Sequence, residues 1–169
     1  GHFAAGVDIS EFETIYADEE ATRETTATIS TAVDAIANCS KPVVAAIEGS
    51  CFGAGIALAL AADVRIASKT AQFGLPPAKL GIVYPPADLK RLVDAIGPAA
   101  AKRMLFSARR FSGPQALEMG LVEELAAQGE ALDAAKTFAE EVAGNSAWSV
   151  RTLKSMIAAI DEGASEAAL

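Results

Sequence analysis

A chain of 169 residues that is 51% hydrophobic and 21% charged is long enough to bury one sizeable core and short enough to do so as a single domain. Its 22 acidic residues outnumber 14 basic ones, giving a net charge of −8, which excludes an extended nucleic-acid surface and leaves any bound anion to a few local cations. One histidine, His2, and two cysteines, Cys39 and Cys51, with neither CxxC nor Cys/His spacing, leave no material for a zinc site or for Ser-His or Cys-His catalysis.

The chain opens Gly1-His2-Phe3 with no basic n-region, so no secretory leader is expected in it. Gly6 then marks a turn within Phe3-Ala4-Ala5-Gly6-Val7-Asp8. Glu11 to Glu20 is polar and irregular and is expected to be a mobile loop. Thr22 to Asn38 places Ile29, Val33, Ile36 and Ala37 on one helical face and ends before Pro42, which cannot continue a helix. Val43 to Glu48 and Asp63 to Ser68 predict short strands. Between them Gly49-Ser50-Cys51-Phe52-Gly53-Ala54-Gly55 turns into an apolar helix, Ile56 to Ala62. That order is a βαβ pattern, which implies parallel strands. Cys51 to Ala62 is the longest nearly uncharged apolar stretch, too short to span a bilayer. No membrane association is expected, and two unpaired cysteines fit a reducing cytoplasm.

Ala71 to Gly74 predicts a small strand, and a proline-rich loop follows from Leu75 to Pro86. Pro85-Pro86 pre-sets a helix over Ala87 to Ile96, which Gly97-Pro98 stops. From there the chain reads as helical. Ser112 to Gln115 has capping-box spacing, and Gly144 and Gly163 fall where helices would end. Trp148, Met156 and Ile157 share a face of the last helix and are expected to be core or subunit contact. No internal repeat or linker-like break appears.

These segments resemble the enoyl-CoA hydratase/isomerase (crotonase) superfamily. The resemblance runs from about Phe3 to Leu169 and rests on Ala5-Gly6-Val7-Asp8, Lys41-Pro42-Val43-Val44-Ala45-Ala46-Ile47-Glu48-Gly49, Ala62-Asp63-Val64-Arg65-Ile66-Ala67-Ser68, Phe73-Gly74, Leu80-Gly81 and Ala116-Leu117-Glu118-Met119-Gly120-Leu121-Val122. It implies an α/β fold of the ClpP/crotonase type, a ββα core with C-terminal helices, expected here as an interior piece incomplete at both ends. Gly1-His2 is equally consistent with the remnant of an added tag. The expected organisation is one domain, 1–169, with the core and oxyanion hole over about 1–125 and a helical part over about 126–169. The resemblance further implies an acyl-CoA thioester as ligand, no metal, no cofactor beyond the coenzyme A of the substrate, and a homotrimer or dimer of trimers.

Residue by residue, the family's oxyanion donors fall on the backbone N–H groups of Val7 and Ala54. Ala5, Gly6, Gly53, Gly55 and Pro77 are the implied substrate-binding positions. A thioester whose α-carbon loses a proton or a carboxyl group gathers negative charge on its oxygen, and two preorganised donors stabilise it. Departures from the pattern bear on the reaction. The two glutamates that hydratases use to activate water and deliver a proton would align with Ala57 and Pro77, neither of which transfers protons. Glu48 and Asp63 read as structural partners, Asp88 as a charge at a helix N-terminus, and Lys41 as a strand-end lysine within possible reach of a phosphate. Tyr84 aligns with a tyrosine that methylmalonyl-CoA decarboxylase-like members use to orient a substrate carboxylate. It either serves the pocket in that way or packs under the acyl tail. Three readings stay open: an enzyme stabilising a thioester enolate, a decarboxylase using Tyr84, and a silent acyl-CoA binder.

Overall fold

In a computed structural model the described residues are 1–161 and 163–165. Residues 162 and 166–169, part of the expected C-terminal helical region, lie outside them.

The first 37 residues hold the turn at Gly6, a single 3-10 turn at Ile9–Glu11 and two helices, α1 (Phe12–Ile15) and α2 (Glu19–Ala37). The segment expected to be a loop is therefore largely helical. Asp18, whose side chain accepts from Ala21 N–H, caps α2, which begins at Glu19, three residues before the predicted start.

Two strands follow, β1 (Val44–Ile47) and β2 (Ser50–Phe52), then helix α3 (Ala54–Ala61), then β3 (Val64–Ser68) and β4 (Gln72–Gly74). β1 pairs in parallel with β3, and β2 in parallel with β4. The chain thus lays one strand in each of two sheets, crosses back through α3, and repeats. This interleaving confirms the ββα arrangement, and the expected βαβ unit is its β1–α3–β3 part. β2 was not predicted. Its three residues become a strand through pairing with β4, which no local periodicity announces.

A short helix α4 (Pro77–Leu80) ends at Gly81, and α5 (Pro86–Ser107) follows. Gly97, at φ 74° and ψ 161°, is not helical, so α5 is two helices joined at the Gly97-Pro98 break that the sequence marks. Beyond it come β5 (Phe111–Ser112), α6 (Gly113–Glu118), β6 (Glu124–Ala126), α7 (Ala131–Ala143) and α8 (Ala147–Asp161). The Ser112–Gln115 capping box forms as predicted. The two short strands correct the all-helical expectation: β6 extends the first sheet to the order β1-β3-β6, and β5 extends the second to β2-β4-β5.

α3 lies between α2 and α5, and α7 covers β1 and β3. The main core includes Ile47, Ile56, Phe73, Leu75, Leu92, Met104 and Phe111, each at most 1% exposed, and each contributes roughly 1.5–3 kcal/mol by burial. Val33, Ala57 and Ala61 form a second cluster between α2 and α3. Helix α8 buries no residue, and Trp148 is 71% exposed, so the Trp148–Ile157 face is not core within this chain. Among the described residues, no helix is long and apolar enough to cross a membrane.

Candidate active site

The two glycine turns, 47 residues apart in sequence, meet at one end of β2. Phe3 N–H and Ala4 N–H both donate to the Ser50 carbonyl, at 3.0 and 3.1 Å, and Phe52 N–H donates to the Ala4 carbonyl at 2.9 Å. Beyond this splice Gly6 sits at φ +93°, and a Cβ placed on it would lie 3.2 Å from the Phe52 oxygen and 3.6 Å from the Ala54 nitrogen. Only a residue without a side chain lets the first turn approach this closely. Gly55 makes the same allowance from the other side, since its missing Cβ would lie 2.8 Å from both the Cβ and the oxygen of Ala4.

Ala54 is the first residue of α3, so its N–H has no partner inside the helix. Gly53 N–H donates to the Gly74 carbonyl at 3.1 Å, fixing the turn to β4. Among the described residues, neither Val7 N–H nor Ala54 N–H has an acceptor. Both residues line one cavity of about 500 Å³. Two residues with unpaired N–H groups lining one largely apolar cavity suit a ligand oxygen that gains negative charge.

Of the expected positions, Val7, Gly53, Ala54, Pro77 and Tyr84 line that cavity. Ala5, Gly6 and Gly55 are not among its lining residues; Gly6 and Gly55 lie where the two turns pack together. Pro77, at the start of α4, is buried and lines the cavity. Ala57 does not: it is fully buried against α2, in the cluster with Val33 and Ala61. Glu48 accepts from Ala131 N–H at 3.0 Å and so caps α7, while Asp63 takes Val43 N–H at 2.6 Å and Lys154 Nζ at 2.7 Å. Both carboxylates are structural, as the sequence suggests. Lys41 is exposed, and its carbonyl accepts from Lys154 Nζ at 3.1 Å.

The opposite wall comes from α1 and α2, through Phe12, Ile15, Thr25, Thr26 and Ile29. These were not foreseen as site residues. Their signal lay in the helical spacing of Thr22, Thr26 and Ile29, which extends the apolar face of α2 toward its N-terminus.

Two titratable side chains stand at the base of α5. Tyr84 is 9% exposed and its hydroxyl is buried without a hydrogen-bond partner among the described residues. Burial first, and then the neighbouring Asp88, hold the phenol far above its ordinary range. Asp88 is 5% exposed and lines the same cavity. Burial pushes its carboxyl up, and Arg91, whose Nη1 donates to Oδ1 at 3.2 Å, reverses this only in part. Arg91 Nη2 also donates to Asp34 Oδ1 of α2 at 2.5 Å. Cys51 is fully buried, and burial pushes its thiol up to about 12, so it is no nucleophile.

A family model described as enoyl-CoA hydratase/isomerase matches residues 1–168. The chain belongs to this family. A relative named Probable enoyl-CoA hydratase EchA17, from Mycobacterium tuberculosis, is 41% identical over 142 residues, covering 82% of this chain and 53% of its own length. Carnitinyl-CoA dehydratase of Salmonella agona is 37% identical over 127 residues, 75% of this chain and 49% of the relative. The chain thus spans about half the length of these curated relatives. Among solved structures, an enoyl-CoA hydratase/isomerase family protein from Hyphomonas neptunium superposes with a TM-score of 0.96 at 51% identity, over 98% of this chain and 63% of that one. An enoyl-CoA hydratase/carnithine racemase from Magnetospirillum magneticum gives 0.91 at 33% identity, over 98% and 63%. The fold is that of this hydratase/isomerase family, the crotonase fold.

Proposed function

We propose that this chain is the part of an enzyme that binds an acyl-CoA thioester and stabilises its enolate, with the thioester oxygen held by Val7 N–H and Ala54 N–H. The observation that carries this is the close approach of the two turns, with the missing Cβ of Gly6 3.6 Å from the Ala54 nitrogen and both donors without acceptors among the described residues. As charge builds on the oxygen, these two hydrogen bonds strengthen and lower the barrier. A preorganised donor of this kind contributes about 2.7–4 kcal/mol. The lining is largely apolar, which keeps water from competing for the donors. The family's ligand class supports coenzyme A as the carrier, with no metal or further cofactor required by the step.

The experiment compares binding of an acyl-CoA thioester with that of its thioether analogue, which lacks the carbonyl oxygen, to the full-length protein. Two lost hydrogen bonds predict a preference for the thioester of about tenfold or more. Equal affinities would overturn the reading.

The unpartnered Tyr84 hydroxyl favours a second reading, in which the substrate is a malonyl-type thioester and Tyr84 orients its carboxylate. The bond to that carboxylate is held perpendicular to the thioester plane, carbon dioxide leaves, and the electron pair enters the same enolate. No base is needed, which suits a site with Ala57 and Pro77 in the two glutamate positions.

A further inference from the structure

Among the residues that line the cavity, Asp88 is the sole carboxyl group. An acid in the first turn of a helix is ordinarily solvated and complements the helix N-terminus. Asp88 is third in α5, yet it is turned into the cavity wall at 5% exposure. Burying a carboxylate is costly unless it is well paired, and its side-chain partner here is a single Arg91 contact at 3.2 Å. Arg91 is itself shared with Asp34. An acid placed in this way is half-compensated, close to a phenol without a partner, and open to the same space as two unpaired N–H donors.

We propose that the Asp88 carboxylate is the proton acceptor of this site, taking the α-proton of the bound thioester and returning it from the same oxygen. The inference rests on the enolate reading and adds to it the group that makes the enolate. One oxygen of Asp88 bonds the proton as the Cα–H bond breaks. The electron pair moves into the thioester, and the oxyanion is held at Val7 and Ala54. The proton then goes back to carbon and the carboxylate is restored, with no co-reactant consumed. Returned to C2 after the protonated carboxyl has traded its proton with solvent, it leaves only exchange. Returned to C4 of a β,γ-unsaturated chain, it moves the double bond to the α,β position. A single carboxyl suffices for both, whereas a carboxylate fixed here would repel the anionic group of a malonyl-type ligand.

The groups facing Asp88 are Arg91 on α5, Asp34 reached through Arg91 on α2, and Tyr84 on the preceding loop; Tyr16 also lines the cavity. Burial and Asp34 raise the carboxyl and Arg91 lowers it, with a net rise. Because the base form reacts, the exchange rate climbs with pH through a midpoint raised from an aspartate's ordinary value.

The test follows α-proton exchange of butyryl-CoA in deuterium oxide by mass, and the isomerisation of 3-hexenoyl-CoA, with full-length protein. Asp88→Asn is expected to slow both by about 100-fold or more, to erase the acid limb of the pH profile, and to leave butyryl-CoA affinity close to wild type. Asp34→Asn breaks the α2–α5 ion pair of Arg91 at a residue outside the cavity lining, and it should keep exchange, with the acid limb moved to lower pH because Asp34 raises the Asp88 carboxyl. Asp88→Glu, which restores a carboxyl, should recover part of the exchange. Wild-type rates in Asp88→Asn, or no exchange by wild-type protein that still prefers thioester to thioether, would overturn Asp88 as the base while the oxyanion reading stood. Loss of that preference with Asp88-dependent exchange intact would instead overturn the oxyanion reading alone. If Asp34→Asn lost exchange as fully as Asp88→Asn, the pair would be structural and the proposal wrong.

Discussion

The two turns that meet at the site are held in different ways. Gly53 and Ala54 belong to the core: β2 pairs with β4, Gly53 N–H is bonded to Gly74, and six of the eight residues of α3 are buried. The first turn is held from outside, by three backbone hydrogen bonds between Phe3–Ala4 and Ser50–Phe52, which make the parallel bridge of Ala4 to Cys51, and by Ser50 N–H donating to His2 Nδ1 at 3.1 Å. From there to Asp8, whose carboxylate accepts Ser10 N–H at 2.9 Å, no backbone bond fixes Ala5, Gly6 or Val7 among the described residues. One donor therefore comes with the fold, whereas the other depends on docking. The precision of the pair is set by the weaker partner.

The sharpest way to probe the firm half is Ala54→Pro. Ala54 opens α3, a position where proline is tolerated because its N–H has no helical partner, so the protein should still fold while one donor disappears. We expect turnover to fall by about 100- to 1000-fold with a circular dichroism spectrum like that of wild type. A folded and fully active variant would remove Ala54 from the site.

The docked half is broken by Gly55→Ala. Its new Cβ meets Ala4 at 2.8 Å, backbone included, and should cost about 1–3 kcal/mol by overpacking. Thermal unfolding reads that loss, and a reduced preference for thioester over thioether reads the parting of the turns. Unchanged melting would mean that the first segment moves freely enough to make room.

The smallest effect is expected at Tyr84. Tyr84→Phe removes a hydroxyl that has no hydrogen-bond partner among the described residues, so stability should hold or rise slightly. Under the enolate reading, acyl-CoA binding changes little. Under the decarboxylase reading, carbon dioxide release from methylmalonyl-CoA falls, and measuring that release in wild type and variant separates the two.

The sequence made the framework legible wherever a residue's state follows from its neighbours. The face Ile29–Val33–Ile36 announced α2, the apolar runs flanking Gly53 announced β1, α3 and β3, and Ser112–Gln115 announced a helix start. It was silent on β2, β5 and β6, strands of two or three residues that exist through pairing with distant partners. The same division runs through the site. Glycines whose purpose is close backbone approach can be read in one dimension, so Gly6, Gly53 and Gly55 pointed to the junction. The cavity's far wall, from Phe12 to Ile29, could not be read, because it arises only when α1 and α2 fold back over the turn. Asp88 was visible as a first-turn acid. Its burial depends on where α5 lands.

Chemistry done by main-chain N–H groups leaves an inverted mark on tolerance to substitution. The side chains of Val7 and Ala54 do none of the proposed work, and either position should accept most residues other than proline. Intolerance is displaced onto neighbours that touch no ligand: Gly6, with its φ of +93° and the Phe52 oxygen 3.2 Å from its missing Cβ, and Gly55, against Ala4. A scan of every substitution would therefore outline this site by its surroundings, with the two reacting positions as gaps in the pattern.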